Sequence, residues 1–150
     1  DELRAALADG RAMDVWREMI RRQGGDPDAP LPVAPETDTL TAPADGVLVT
    51  LDALAVGVAA WRLGAGRARR GDPVQAGAGV EMHAKPGDAV RAGQPLLTLH
   101  TADPERFARA RRALDGAVVV AGPDSPEAAR AAERAGAGVV LERLAPGAGA

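Results

Sequence analysis

Apolar residues recur at helical spacing through Ala12, Val15, Trp16, Met19 and Ile20, and the run stops at Gly24-Gly25, so the chain opens on an amphipathic helix. Asp1 or Asp9 can cap its start, and the whole stretch from Asp1 to Gly24 reads as helix. Between Asp26 and Pro35 the sequence DPDAPLPVAP carries prolines at 27, 30, 32 and 35. That spacing forbids a helix and favours extended backbone, as in a stiff linker. The period then changes from helical to twofold. Thr37, Thr39 and Thr41 alternate, and GVLVTLD from Gly46 to Asp52 is β-branched enough for a strand.

Asp52 is placed to cap a following helix in which Leu54, Val58 and Trp61 share one face, ended by Gly64 and Gly66. The face predicts a buried Trp61. GAGRARRGD, Gly64 to Asp72, reads as a flexible basic loop. Strands are expected at Val80 to Met82, through Val90, and over Leu96, Leu97 and Leu99, joined by turns at Lys85-Pro86-Gly87-Asp88 and Ala92-Gly93-Gln94. Gly87 and Gly93 are expected to take positive φ there. Asp103-Pro104 opens a helix with an apolar stripe of Phe107, Ala110 and Leu114; a strand follows at Ala117 to Gly122 and a capped helix at Ser125 to Gly136. GVVLERL, from Gly138 to Leu144, reads as a last strand. Helices interleaved with a mostly antiparallel sheet make the class α+β. The organisation expected is residues 1–25 as a helical tail, 26–36 as linker, 37–145 as the main domain and 146–150 as a frayed end.

Composition narrows the function. At 150 residues, 46% of them hydrophobic, the chain can form a core, but from Ala, Val and Leu, since Trp16, Trp61 and Phe107 are its only aromatics. A net charge of −3 gives no electrostatic reason to expect nucleic acid or an anionic membrane. The absence of cysteine removes disulfides, thiolate catalysis and cysteine-held metals. With no apolar run of membrane-spanning length and no signal-peptide pattern, the expectation is a soluble cytoplasmic chain. Beginning at Asp1 with helix already under way, it also reads as cut from something longer.

Candidate chemistry is sparse. K-P-G-D-x-V-x-x-G-x-P-L, within Val80 to His100, resembles the closing hairpin of the small β-barrels that carry biotin or lipoate, and so predicts a barrel-like hairpin module. A carrier needs its lysine at an exposed hairpin tip. Lys85, the only lysine against seventeen arginines, stands instead before the Pro86-Gly87-Asp88 turn. Scaffolding is the better reading, and no cofactor is expected. His83 and His100 flank the hairpin strands and could face each other, but two imidazoles without a third ligand make a weak metal site. Arg62, Arg67, Arg69 and Arg70 form the strongest basic patch, where a phosphate could meet the Gly64 and Gly66 amides, yet no strand leads into a phosphate loop. Asp26, Asp28 and Glu142 show no sign of a buried, proton-transferring acid. No catalytic, substrate-binding, cofactor-binding or metal residue is assigned.

Three blocks in order carry a family resemblance: GRAMDVWREMIRRQGGDP (Gly10 to Pro27), APADGVLVTLDALAVGVAAWRLGAGRARRGDPV (Ala42 to Val74) and GVEMHAKPGDAVRAGQPLLTLH (Gly79 to His100). Together they resemble the C-terminal third of thymidine and pyrimidine-nucleoside phosphorylases, with VLERL (Val140 to Leu144) similar again and the stretch after Arg112 departing. The resemblance implies a pentosyltransferase that cleaves pyrimidine deoxyribonucleosides with phosphate, giving free base and deoxyribose 1-phosphate. It also implies a homodimeric enzyme with a helical domain, a phosphate-binding α/β domain and a C-terminal α+β domain. The family's K-H-S and S-x-R signatures belong to the first two and are absent here; His83-Ala84-Lys85 has the wrong order and the wrong place. The expectation is therefore a non-catalytic accessory domain, monomeric and inactive alone, that braces the catalytic domains of its own full-length chain. A stand-alone binding module and a biotinyl- or lipoyl-type carrier are the alternatives.

Overall fold

The computed structural model describes residues 2–67 and 69–137. The chain divides into two compact units, Asp1–Pro32 and Val33–Ala150. The strand expected at 138–144, the end at 146–150 and Glu142 lie outside the described residues.

In the first unit the single expected helix is two, α1 (Glu2–Ala8) and α2 (Arg11–Arg22). The break is at Gly10, whose φ of 87° is left-handed and cannot continue a right-handed helix. Asp9 still serves the start of α2, accepting from the Arg11 N–H at 3.1 Å and from Arg11 Nε at 2.8 Å. Val15, Trp16 and Met19 share an exposed face. Beyond α2 the backbone is not uniformly extended. The Asp28 N–H bonds the Asp26 carboxylate at 2.9 Å, and the Asp28 carboxylate lies 3.6 Å from Arg17 and 3.8 Å from Arg21, so the segment turns back along the helix.

The second unit is α+β, as the alternation of periods predicts. Among the described residues six strands, β1 (Glu36–Thr41), β2 (Gly46–Leu51), β3 (Gly79–Met82), β4 (Ala89–Val90), β5 (Pro95–Thr101) and β6 (Val118–Ala121), form two antiparallel sheets ordered β1-β5-β3 and β4-β2-β6. Among the described residues these sheets form no closed barrel, so of the expected architecture the α+β class with antiparallel sheets is what the structure shows. The turn motif specifies tight corners and positive φ at Gly87 (100°) and Gly93 (78°), and nothing in it requires closure.

Both central strands are buried on both faces. On β5, Leu97 and Leu99 join Ala59, Leu63, Ala110 and Leu114, while Leu96 points the other way to meet Leu48, Ala84 and Val90. On β2, Leu48 belongs to that second cluster and Val49 to a third, with Ala128 and Ala131. The helices start where the caps predict. Asp52 accepts the Ala55 N–H at 2.8 Å at the head of α3 (Ala53–Ala60), and Ser125 accepts the Ala128 N–H at 3.1 Å at the head of α5 (Pro126–Gly136). Between them α4 (Arg106–Ala113) follows a turn in which Asp103 accepts from Glu105 N–H at 3.2 Å.

Trp61 is not buried: 44% of it is exposed, close to the 45% of Trp16, and Leu54 is 78% exposed. The segment from Ala53 to Ala65 is apolar on nearly every side, so its periodicity selects no face. Packing selects the small one, where Ala59 lies against α4 with Ala110 and both are fully buried.

Arg111 of α4 reaches β1, where Nε and Nη2 grip both oxygens of Asp38 and Nη2 also donates to the Thr39 carbonyl. The Arg111 hydrogen bond holds the Asp38 carboxyl below the ordinary carboxylate range. A carboxyl depressed in the folded state stabilises above its unfolded pKa, and that contribution drains as the pH falls towards the folded value. The gap in urea midpoint between wild type and Asp38→Asn is thus expected to be full near about pH 6 and to narrow steadily as the pH falls below about 4, small throughout because the pair is partly solvated. A gap that does not change with pH would assign the role of Asp38 to packing alone.

Candidate functional site

A buried polar knot fixes the end of the helix that follows Asp52. After α3 the chain widens into a π-helical turn, Trp61–Ala65, and stops at Gly64, whose φ is 118°. Fully buried Thr101, at the end of β5, donates its hydroxyl to the Leu63 carbonyl at 2.7 Å. Gln75 closes the knot: its Oε1 accepts the Ala102 N–H at 2.8 Å, and its own N–H donates to the Gly64 carbonyl at 2.9 Å. A Cβ on Gly64 would come within 2.9 Å of the Gln75 side chain, so the glycine is needed for space as well as for φ.

This knot aims the residues that precede it. Trp61 lies against Gly66, where a Cβ would sit 2.9 Å from the indole, and its Nε1 donates to the Arg67 carbonyl at 3.1 Å. Arg62 reaches α4 and donates to the Arg109 carbonyl at 2.9 Å; Arg109 returns the bond to the Arg62 carbonyl at 3.1 Å. Arg106, Arg109 and Arg112, three apart, line the same side of α4. Between them and the Trp61 segment, with Asp72 and Pro73 on the rim, lies an open cleft of about 730 Å³. It is lined by four guanidiniums against two nearby carboxylates, Asp72 and Asp103, and Asp103 is already 3.0 Å from Arg106.

The candidates read from sequence distribute differently. Of the basic patch, Arg62 enters the cleft. Arg67 instead bonds the Asp72 carbonyl at 3.1 Å, and the Arg69 N–H bonds the Asp72 carboxylate at 2.7 Å, so the loop expected to be flexible is organised around Asp72. The partners of Arg62 on α4 were missed. Their three-residue spacing is visible in RFARARR, but their meeting with a residue more than forty positions upstream is a product of tertiary packing.

His83 and His100 do not face each other. His100 pairs with Gly79 and Thr37, the His83 N–H bonds Leu96, and the two sit about four strand positions, ~13 Å, apart. His83 Nε2 bonds Thr98 Oγ1 at 2.7 Å, while His100 Nε2 lies 3.6 Å from Glu81. Among the described residues no group of three His, Asp or Glu side chains is placed to hold a metal ion. Lys85 is exposed, but its turn is pinned: its N–H bonds the Asp88 carboxylate at 2.8 Å and the Gly87 N–H bonds the Leu48 carbonyl at 2.8 Å. Asp26 and Asp28 belong to the surface turn of the first unit. No helix among the described residues is long and apolar enough to cross a membrane.

The segment that builds both central strands and the cleft, residues 47–121, matches the family model described as pyrimidine nucleoside phosphorylase C-terminal domain. The chain belongs to this family. A thymidine phosphorylase of Mycobacterium tuberculosis (strain ATCC 25618 / H37Rv) is 54% identical over 110 residues, which cover 73% of this chain and 26% of the relative. The AMP phosphorylase of Hyperthermus butylicus is 39% identical over 121 residues, 77% of this chain and 23% of the relative. Human thymidine phosphorylase is 35% identical over 130 residues, 77% and 27%. This phosphorylase C-terminal domain thus spans about a quarter of the length of the curated relatives it matches.

Proposed function

We propose that the chain is the C-terminal accessory domain of a cytoplasmic nucleoside phosphorylase that cleaves pyrimidine deoxyribonucleosides with phosphate, and that it braces the catalytic domains without taking part in the chemistry. The family match over residues 47–121 carries this reading. It is supported by the relatives, since one named for thymidine and one named for AMP share this domain at 35% and 39% identity, as expected where substrate choice is made elsewhere in the chain. Phosphorolysis needs positioned donors for a phosphate dianion and for charge developing on the departing base, around a shared reacting centre. The cleft is lined by cations and, among the described residues, holds no convergent set of donors for a base. Nor does the pinned turn at Lys85 suit a swinging prosthetic group, which favours an accessory role over a carrier and a domain without cofactor.

The purified chain, incubated with thymidine and phosphate, is expected to release no thymine above a protein-free control. Release that scales with protein and vanishes without phosphate would place catalysis within these residues and overturn the accessory reading.

A further inference from the structure

The cleft beside Trp61 has a composition that bracing alone does not require. Four guanidiniums lining one cleft repel one another, and only Arg106 has a carboxylate partner within ion-pair distance among the described residues. Arg62 and Arg109 are held by each other's backbone carbonyls, which fixes where they lie but leaves their charge uncompensated. Pre-organised arginines that keep their charge are what recognition of a phosphate oxyanion uses, because no side-chain rearrangement is needed on binding. The half-exposed Trp61 indole, tied through Nε1, lines the same cleft, and an aromatic side chain beside cations suits a planar ring attached to the anion. At about 730 Å³ the cleft falls within the range of small-molecule sites and is too large for a bare phosphate.

We propose that this cleft is a binding site for a phosphate monoester carrying a planar aromatic group, with the phosphate among Arg62, Arg109 and Arg112 and the ring against Trp61. It is a site on the accessory domain itself, and its occupancy does not depend on whether the chain belongs to an active phosphorylase. The elements that build it, the π-turn after α3 and one side of α4, are fixed by the Thr101–Gln75 knot and by the Arg62–Arg109 bonds, so ligand binding would couple the two helices.

The test uses the whole chain with Trp16→Phe, so that Trp61 alone emits, and AMP as the probe, checked by calorimetry. AMP is expected to give a saturable change that weakens as NaCl rises. Inorganic phosphate should bind about tenfold or more weakly than AMP, and adenosine should give no saturable signal. Arg112→Gln, which removes a guanidinium with no hydrogen bond among the described residues, should keep the urea midpoint and lose about tenfold or more in affinity. Arg91→Gln, at a distant turn, should bind as wild type. Binding of adenosine as tight as AMP, affinity unchanged by Arg112→Gln, or no saturable heat or emission change up to millimolar AMP would overturn the proposal. So would tight binding of poly-glutamate with none of AMP, which would make the cleft a docking face for an acidic polypeptide.

Discussion

Gly87→Val is expected to be among the most damaging single changes in the second unit. The φ of 100° at Gly87 is a conformation that a β-branched residue adopts only under strain, and a Cβ there would lie 2.5 Å from Ala135 Cβ and 3.1 Å from the Ala131 carbonyl. Helix α5 would have to move away from the turn, or the turn from β2, where the Gly87 N–H bonds Leu48. Backbone strain and overpacking each cost about 1–3 kcal/mol, roughly 2–6 together, a large part of the stability of an ordinary domain. Gly93 separates the two terms: its φ is 78°, but nothing lies within 4 Å of its Cβ position, so Gly93→Val should show the strain of about 1–3 kcal/mol alone. Lys85→Arg, two residues from Gly87, should stay within about 0.5 kcal/mol of wild type. Urea midpoints decide the order. Equal losses for Gly87→Val and Gly93→Val would show that α5 does not press on the turn.

The strands and the capped helices of the second unit were legible because their signals are local. Alternating threonines, a β-branched run, Asp52 or Ser125 before an apolar stretch, and glycines at tight corners each act within a few residues of themselves. What was not legible depends on distant partners. Trp61 was expected inside because it shares an apolar face with Leu54 and Val58, yet the face taken inward is that of Ala59 and Leu63, where α4 can approach closely. That His83 and His100 could face each other was open from their places beside the hairpin strands, whereas register sets them apart. The cleft was not legible for the same reason, since it needs an exposed Trp61 and arginines that tertiary packing brings together from separate segments. The family resemblance, by contrast, rested on three ordered blocks of residues and required no tertiary information.

Leu99→Ala is expected to cost about 3–5 kcal/mol, the loss for emptying a buried leucine site that closes poorly. Poor closure is argued from its surroundings. Leu99 is fully buried on the central strand of its sheet, its neighbours there include Leu97 on the same strand face, and Ala59 and Ala110 beside it have no longer side chain to swing into the gap. Leu48→Ala empties the second cluster and should cost a similar amount. Leu51 and Val118 pack against both clusters, so the two are coupled and neither should melt by itself. Followed by Trp61 emission in the Trp16→Phe background, which is blind to the first unit, both variants should shift one sigmoidal urea transition with an unchanged slope. A biphasic curve for Leu48→Ala, with the Trp61 signal lost in the late phase only, would mean that the sheets unfold independently. In that case residues 33–137 hold two cooperative cores, and the sharing of Leu51 and Val118 is contact without coupling.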